Sequence, residues 1–496
     1  MDAQNFLFIF SDEHRRSLTG CYGSEVIKTP NLDRLAARGA VFDNAYTPSP
    51  ICVPARGALA TGKWAHQGPY WDNVFAYHGE CPSWHRRIRE FGHRMDVTGK
   101  LHYRSDADDN GFTEELDTMH RLRGTGDLIG SIRNPSPPPR LAMPALANGA
   151  GAGECTYNHY DRKIADNAVR WIAERAGNPD PTPWAYMVSF TRPHYPLTCP
   201  PEFLSLYDPA DIELPAWYRG ERHARHPWIE ELSQTINYGD YFRDDDHVRL
   251  AIASYYGLVS FLDAQIGRVL DALSDAGLEG STRVLYSSDH GDNVGDRGLW
   301  GKSTMYEESC AVPMIFAGPG IDAGRRISTP TSLIDIYKTA IEAMGHDVPA
   351  EDRDLPSRSL FDFLAREEPE RVVFSEYHAM GSNHASFMVR SGSWKYIYYV
   401  GHEPELFNLA VDPYETTDLA ADPGSKAVRQ AFDAILRSIC DPEATDLRAL
   451  EDQRQMLDGY GGVAAVLARG DLLYTPTPGE EPKLKHDRTQ ALEAKA

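Results

Sequence analysis

Short apolar runs that end on a charged or imidazole-bearing segment recur along this chain, and stripes of helical period lie between them. Phe6 to Phe10 is apolar at every position, the pattern of a parallel strand covered on both faces, and Asp12 stands at its C-terminal end. Val284 to Ser287 repeats the pattern and runs directly into Asp289 and His290. Ala185 to Phe190 does so a third time and leads into Arg192, Pro193 and His194. The helical stripes are as regular. Thr29-Pro30 opens one with Leu32, Leu35 and Ala36 on a single face and Gly39 as its stop. Residues 161–176 align Ile164, Ala168, Trp171 and Ile172; residues 255–276 align Val259, Leu262, Ile266, Val269 and Leu273; residues 332–344 align Leu333, Ile336, Tyr337, Ala340 and Met344.

Strand alternating with helix predicts a doubly wound α/β domain over residues 1–371, a large mixed sheet with ligands at the strand C-termini. From about Val372 the texture changes. Phe387 to Arg390, a Ser-Gly turn and Trp394 to Val400 read as a hairpin; Leu406-Phe407 adds a strand and residues 424–440 a covering helix. This predicts a smaller antiparallel α+β subdomain over 372–470, followed by an extended tail at 471–496. Residues 134–153, rich in Pro, Ala and Gly, form a rim loop.

Charge narrows the function. Lys and Arg total 50 against 72 Asp and Glu, a formal net charge of -22. So acidic a surface repels nucleic acid and anionic membranes, and an anionic substrate then needs a dense local cluster of cations. The opening segment, MDAQNFLFIFSDEH, has no basic stretch before its apolar run and reads as a strand, not a targeting signal. No run of about eighteen apolar residues predicts a membrane span. The seven cysteines show no CxxC pair, which predicts reduced thiols and a cytoplasmic protein.

Among those cysteines, Cys52 has a distinctive setting. In Cys52-Val53-Pro54-Ala55-Arg56-Gly57, Pro54 suits the first turn of a helix running to Gly62, which puts Cys52 at a helix N-terminus that favours negative charge. Arg56, one turn on, adds a permanent cation. With Thr61 and Gly62, this segment resembles the C-x-P-x-R…T-G signature of the sulfatases of the alkaline phosphatase superfamily. The resemblance implies that a formylglycine-generating enzyme converts Cys52 to formylglycine. It also implies that one hydroxyl of the hydrated aldehyde attacks sulfur, and that the other then expels sulfate. Asp12, Asp289 and His290 match the metal positions, with residue 52 completing the set. Carboxylates with one imidazole suit Ca²⁺, Mn²⁺ or Mg²⁺ better than zinc. Glu13 stands where many relatives carry a further Asp.

Lys100 and His102, in Gly99-Lys100-Leu101-His102, match the family's G-K-x-H element, and strand alternation would put both on one face. By the same resemblance, Lys100 binds sulfate oxygen and helps Arg56 hold the diol, and His102 assists hemiacetal breakdown. His194 and Lys302 match the remaining sulfate positions, with His194 favoured as proton donor to the leaving oxygen. Asn73, in Tyr70-Trp71-Asp72-Asn73, is a further sulfate donor. The nearest likeness is the choline-sulfatase and arylsulfatase branch; Tyr70, Trp71 and Tyr77 are candidate walls of a trimethylammonium cage. The expected substrate is a small organic sulfate ester. The competing enzyme class is a phosphonate monoester or phosphodiester hydrolase with the same nucleophile, which Lys100 and His102 disfavour. A non-catalytic acidic scaffold is the competing non-enzyme. The polar, Pro-bearing tail must be held by something, with Leu472, Leu473 and Tyr474 as anchors. Tails exchanged in a symmetric homo-oligomer, a dimer or tetramer, are one answer, and a tail packed on its own subunit is the other.

Overall fold

The computed structural model describes residues 2–486 apart from 135, 178–179, 181, 216 and 219–224; tail residues 487–496 lie outside the described residues. Eight strands form the main sheet: β1 (Asn5–Asp12), β2 (Gly39–Phe42), β3 (Met95–Lys100), β4 (Glu114–Met119), β5 (Ala185–Pro193), β6 (Thr282–Ser288), β7 (Met314–Ala317) and β8 (Arg325–Ile327), in the order β8-β2-β7-β6-β1-β5-β3-β4. β1 pairs in parallel with both β5 and β6, whereas β7 runs antiparallel to its neighbours β2 and β6.

The period of two along β1 divides the core. Leu7 and Ile9 face helices α1 (Pro30–Ala37), α3 (Thr156–Gly177) and α4 (Asp245–Asp275). Phe6, Phe8 and Phe10 face the opposite layer, which includes α2 (Cys52–Thr61) and α5 (Ile336–Ala343). All five side chains are completely buried, worth about 1.5–3 kcal/mol each. β1 thus lies at the centre of the sheet, and its C-terminal end is where both covering layers leave room for a site.

Gly39 does not stop α1. Arg38 closes that helix and Gly39 begins β2, where a Cβ would stand 2.4 Å from Phe316 O. Strand proximity, not helix termination, requires that glycine. α4 begins ten residues before the apolar stripe that predicts it, on the side chain of Asp244, which caps the His247 N–H.

A second sheet, β9 (Val373–Tyr377), β10 (Ser386–Ser391), β11 (Trp394–Tyr399) and β12 (Glu405–Asn408), is antiparallel throughout and packs against α6 (Lys426–Ile439) through Phe374, Phe387, Tyr396, Phe432 and Leu436. α7 (Pro442–Gly459) follows it. The tail folds back as a short hairpin, Asp471–Leu472 against Leu484–Lys485. Within the described residues no helix is long and apolar enough to cross a membrane.

Candidate active site

Strand register brings the first two acids together. Ser11 of β1 faces Ser288 of β6, so Asp12 and Asp289 leave adjacent strand ends side by side. Backbone bonds lock the junction: Asp289 N–H donates to Ser11 O (3.2 Å), and Glu13 N–H to Asp289 Oδ1 (3.1 Å). Cys52 is the first residue of α2, with Sγ 3.2 Å from His290 Nε2 and 3.7 Å from Asp12 Oδ1. Ligand atoms of Asp12, Cys52, Asp289 and His290 all lie within 4.8 Å of one another, and all four residues are buried. His290 Nδ1 sits 3.0 Å from Gly291 O, which fixes its proton there and turns the Nε2 lone pair toward the cluster. Two carboxylates and one imidazole are a donor set suited to a hard divalent cation.

Arg56 braces this cluster from behind. Its Nε donates to Asp289 Oδ2 (2.8 Å), Nη1 to Lys100 O and Ser189 Oγ, and Nη2 to Asp12 Oδ2 (3.5 Å). It does not line the cavity in front, a chamber of about 60 Å³ bordered by Cys52, Asn73, Lys100, His102, His194 and Lys302. That volume holds roughly four to six waters, space on the scale of a sulfate group. Larger clefts elsewhere, of about 150 and 540 Å³, are lined by no cysteine and no lysine. Chemistry, not size, marks the site.

The electrostatics are tightly coupled. Burial pushes the Asp12 carboxyl up, but Lys100, His194, Lys302 and Arg56 together hold it well below the usual carboxylate range. Lys100 Nζ pairs directly with Asp12 Oδ2. Burial pulls the Lys302 ammonium down, and its acidic neighbours Cys52, Glu13 and Asp12 outweigh it, leaving Lys302 well above an ordinary lysine. Its Nζ donates to Glu13 Oε2 at 3.1 Å. Glu13, with a left-handed φ of 70°, is pushed well up by burial. Burial and then Lys302 lower His194; burial and then Lys100 lower His102. Neither ring nitrogen of His102 has a hydrogen-bond partner among the described residues.

The predicted site residues therefore converge, with two corrections to how they do so. His102 lies beyond β3 in a left-handed turn (φ 58°), so a turn, not strand alternation, brings it beside Lys100. Tyr70, Trp71 and Tyr77 form no cage. Tyr70 OH bonds Glu80, Trp71 Nε1 bonds Asp452 and Tyr77 packs edge-on to Tyr103, all buried away from the cavity. The aromatic walls are Tyr157, Tyr195, Tyr238 and Tyr474.

The tail packs as the second of its two expected arrangements. Leu472, Leu473 and Tyr474 are anchors, but on their own chain, where they close the cavity. Asp471 Oδ2 accepts from Arg140 Nε (3.2 Å) and Leu141 N (2.6 Å); Tyr195 OH donates to Leu473 O and Tyr157 OH to Thr475 O. Sequence reasoning also missed Arg121, a buried cation on the cavity wall, because nothing around it in the chain signals a site.

The profile of the family described as "Sulfatase" matches residues 4–346, most of the chain. This chain belongs to the sulfatase family. A second profile, "N-sulphoglucosamine sulphohydrolase, C-terminal", matches residues 295–441 of this sulfatase. It is 30% identical to the choline-sulfatase of Rhizobium meliloti, over 90% of this chain and 89% of that one. It is also 30% identical to arylsulfatase K of Danio rerio, over 94% and 91%. Among solved structures, the phosphonate monoester hydrolase of Agrobacterium radiobacter aligns with a TM-score of 0.69 at 25% identity, covering 88% of this sulfatase and 95% of that chain. BT4656 in complex with D-glucosamine-2-N,6-O-disulfate aligns at 0.71 and 20%, covering 91% and 99%. The protein is a sulfate ester hydrolase.

Proposed function

We propose that this sulfatase releases inorganic sulfate from a small organic sulfate monoester, using formylglycine made from Cys52 by a maturation enzyme. In this reading Asp12, Asp289, His290 and residue 52 hold one hard divalent cation, Ca²⁺, Mn²⁺ or Mg²⁺. The observation that carries it is the position of Cys52 Sγ, at the first residue of α2 and 3.2 Å from His290 Nε2, with Lys100 and Lys302 on the same cavity wall. Formylglycine supplies a hydroxyl nucleophile, and the cation supplies acidity to it and polarises the ester oxygen.

The chain's own groups do the remaining work. Lys100 and Lys302 hold sulfate oxygens; Arg56 holds Asp12 and Asp289 aligned; Asn73 offers its amide N–H while Oδ1 accepts from Val53 N (3.3 Å). Lys302, held well above an ordinary lysine, carries the proton for the leaving oxygen, because His194 keeps its own proton on Nδ1, 2.7 Å from Tyr195 O, and burial disfavours a second one on Nε2; His102 takes the proton that frees sulfate. The fold likeness to a phosphonate monoester hydrolase gives the competing reading. Two measurements test the proposal: the mass of the tryptic peptide holding residue 52, and sulfate against phosphonate or phosphate release from matched aryl esters. An unmodified cysteine in active enzyme, or faster phosphonate cleavage, would overturn it.

A further inference from the structure

Arg121 is a cation on the cavity wall that the reading above does not use. It follows β4, and its backbone is fixed on both sides: its N–H donates to Tyr103 O (2.9 Å) and its carbonyl accepts from Gly124 N (3.0 Å). The side chain is 4% exposed and shares the cavity with Cys52, His102 and Lys302. Its Nε and Nη2 have no hydrogen-bond partner among the described residues. Neighbouring buried arginines differ, since Arg56, Arg133 and Arg140 each donate to a carboxylate. Asp127, the carboxylate with the strongest pull on Arg121, is bonded instead to Arg140 at 2.8 Å. Asp72, the other nearby acid, accepts from Ser131 and Gln453.

A buried guanidinium without a counter-ion weakens a fold, and such a group persists where a ligand completes it. The surroundings are built to keep it there. Gly126, at a left-handed φ of 68°, lies against the guanidinium, and a Cβ at that position would stand 1.6 Å from Nη2. The glycine leaves the space that the arginine fills.

Taking the sulfatase reading as given, we infer that Arg121 is a specificity residue that receives a carboxylate on the alcohol half of the sulfate ester. The ester's own sulfate already meets Lys100 and Lys302. Arg121 borders the same chamber and adds a cation of its own there, the charge that a second anionic group on the substrate would meet. In a chain of net charge -22, this cation strengthens the local exception that an anionic substrate requires. A trimethylammonium group in the same place would be repelled.

The test compares phenyl sulfate with its carboxyphenyl counterpart, and with esters bearing a second sulfate or a trimethylammonium group, on wild type and Arg121→Gln. The wild-type ratio of kcat/KM, carboxylated over uncharged, is expected to fall by about 10- to 100-fold in Arg121→Gln, the scale of a charged hydrogen-bond pair. Gly126→Ala, which displaces the guanidinium without removing its charge, should lower the same ratio. Arg121→Gln should also melt at a higher temperature than wild type, which a structural arginine would not allow. An unchanged ratio, or a wild-type preference for the second sulfate or the trimethylammonium ester, overturns the assignment. Calorimetric binding of the carboxylated and uncharged esters to Cys52→Ala reads the same preference without turnover. If no ester releases sulfate, the sulfatase reading falls, while this binding comparison still decides the role of Arg121.

Discussion

Arg56 donates from Nε to Asp289 Oδ2 at 2.8 Å, with both groups sealed from water and the same guanidinium reaching Asp12. The arginine therefore fixes two strand-end acids that would otherwise repel each other. Removing one partner of such a buried pair costs about 3–5 kcal/mol, because the other charge is left uncompensated. Arg56→Ala should lose that much stability in urea denaturation, and Arg56→Lys a smaller part, since an ammonium cannot reproduce the fork. A loss below about 1 kcal/mol for Arg56→Ala would contradict this bracing role.

Cys52→Ala should abolish turnover, with a drop in kcat on the order of a millionfold, and leave far-UV circular dichroism unchanged. Cys52→Ser should fail as well, because a serine sulfate has no aldehyde through which to release its product. Residual activity of a tenth of wild type in either variant would exclude residue 52 as nucleophile.

Chelation should stop turnover and lower the melting temperature, and Ca²⁺, Mg²⁺ or Mn²⁺ should restore both. A cation at about a hundred times its Kd stabilises the native state by about 2.7 kcal/mol. Asp289→Asn should lose that metal-dependent rise. A stripped protein that keeps full activity and melts unchanged would refute the ligand set.

Glu405 gives a pH dependence remote from the chemistry. Burial pushes its carboxyl up to about 7, while Tyr399 and Tyr306 donate to its oxygens. Its folded pKa lies above the unfolded value near 4.5, so the native state binds the proton more tightly. The associated stability is fully present below about pH 4.5 and is lost as pH rises through about 7. Glu405→Gln should remove this slope, gaining on wild type by about 2–3 kcal/mol between pH 5 and pH 8 in urea titrations. Parallel stability profiles for the two proteins would rule it out.

Truncation after Gly470 should open the cavity, because Leu472, Leu473 and Tyr474 form part of its wall and Asp471 neutralises Arg140. The expected result is a higher KM and a broader range of accepted alcohols, measured as kcat/KM across esters of increasing size. An unaltered substrate profile would show that the tail does not bound the site.

The parts of this protein that were legible in sequence are those where one physical rule dominates. Phe6 to Phe10 and Val284 to Tyr286 are apolar throughout because both sheet faces are covered, so the acids that follow them stand out. Cys52 was legible because Pro54 and Arg56 punctuate its helix. α7 was not: Thr445, Asp446 and Gln453 are among its buried residues while Leu447 is exposed, which erases the apolar stripe. Arg121 was equally invisible, since a guanidinium between two loops has no periodicity to betray its burial. His102 borders the cavity by a route the sequence does not show, because a left-handed turn at a non-glycine residue leaves no signature. The tail's anchors were identified, while the surface they meet depends on Tyr157, Tyr195 and Arg140, more than 270 residues away.

The place of β1 in the sheet also sets an order of events. Its two neighbours, β5 and β6, begin at Ala185 and Thr282, so the central strand is made well before either partner. Pairing Ser11 with Ser288 closes a loop of more than 270 residues, an entropic step that no early fragment can take. Asp12 therefore meets Asp289 only when most of the chain has been made. An N-terminal piece of this protein contains Cys52 and Asp12, yet lacks β6, the strand whose end sets Asp289 and His290 beside them.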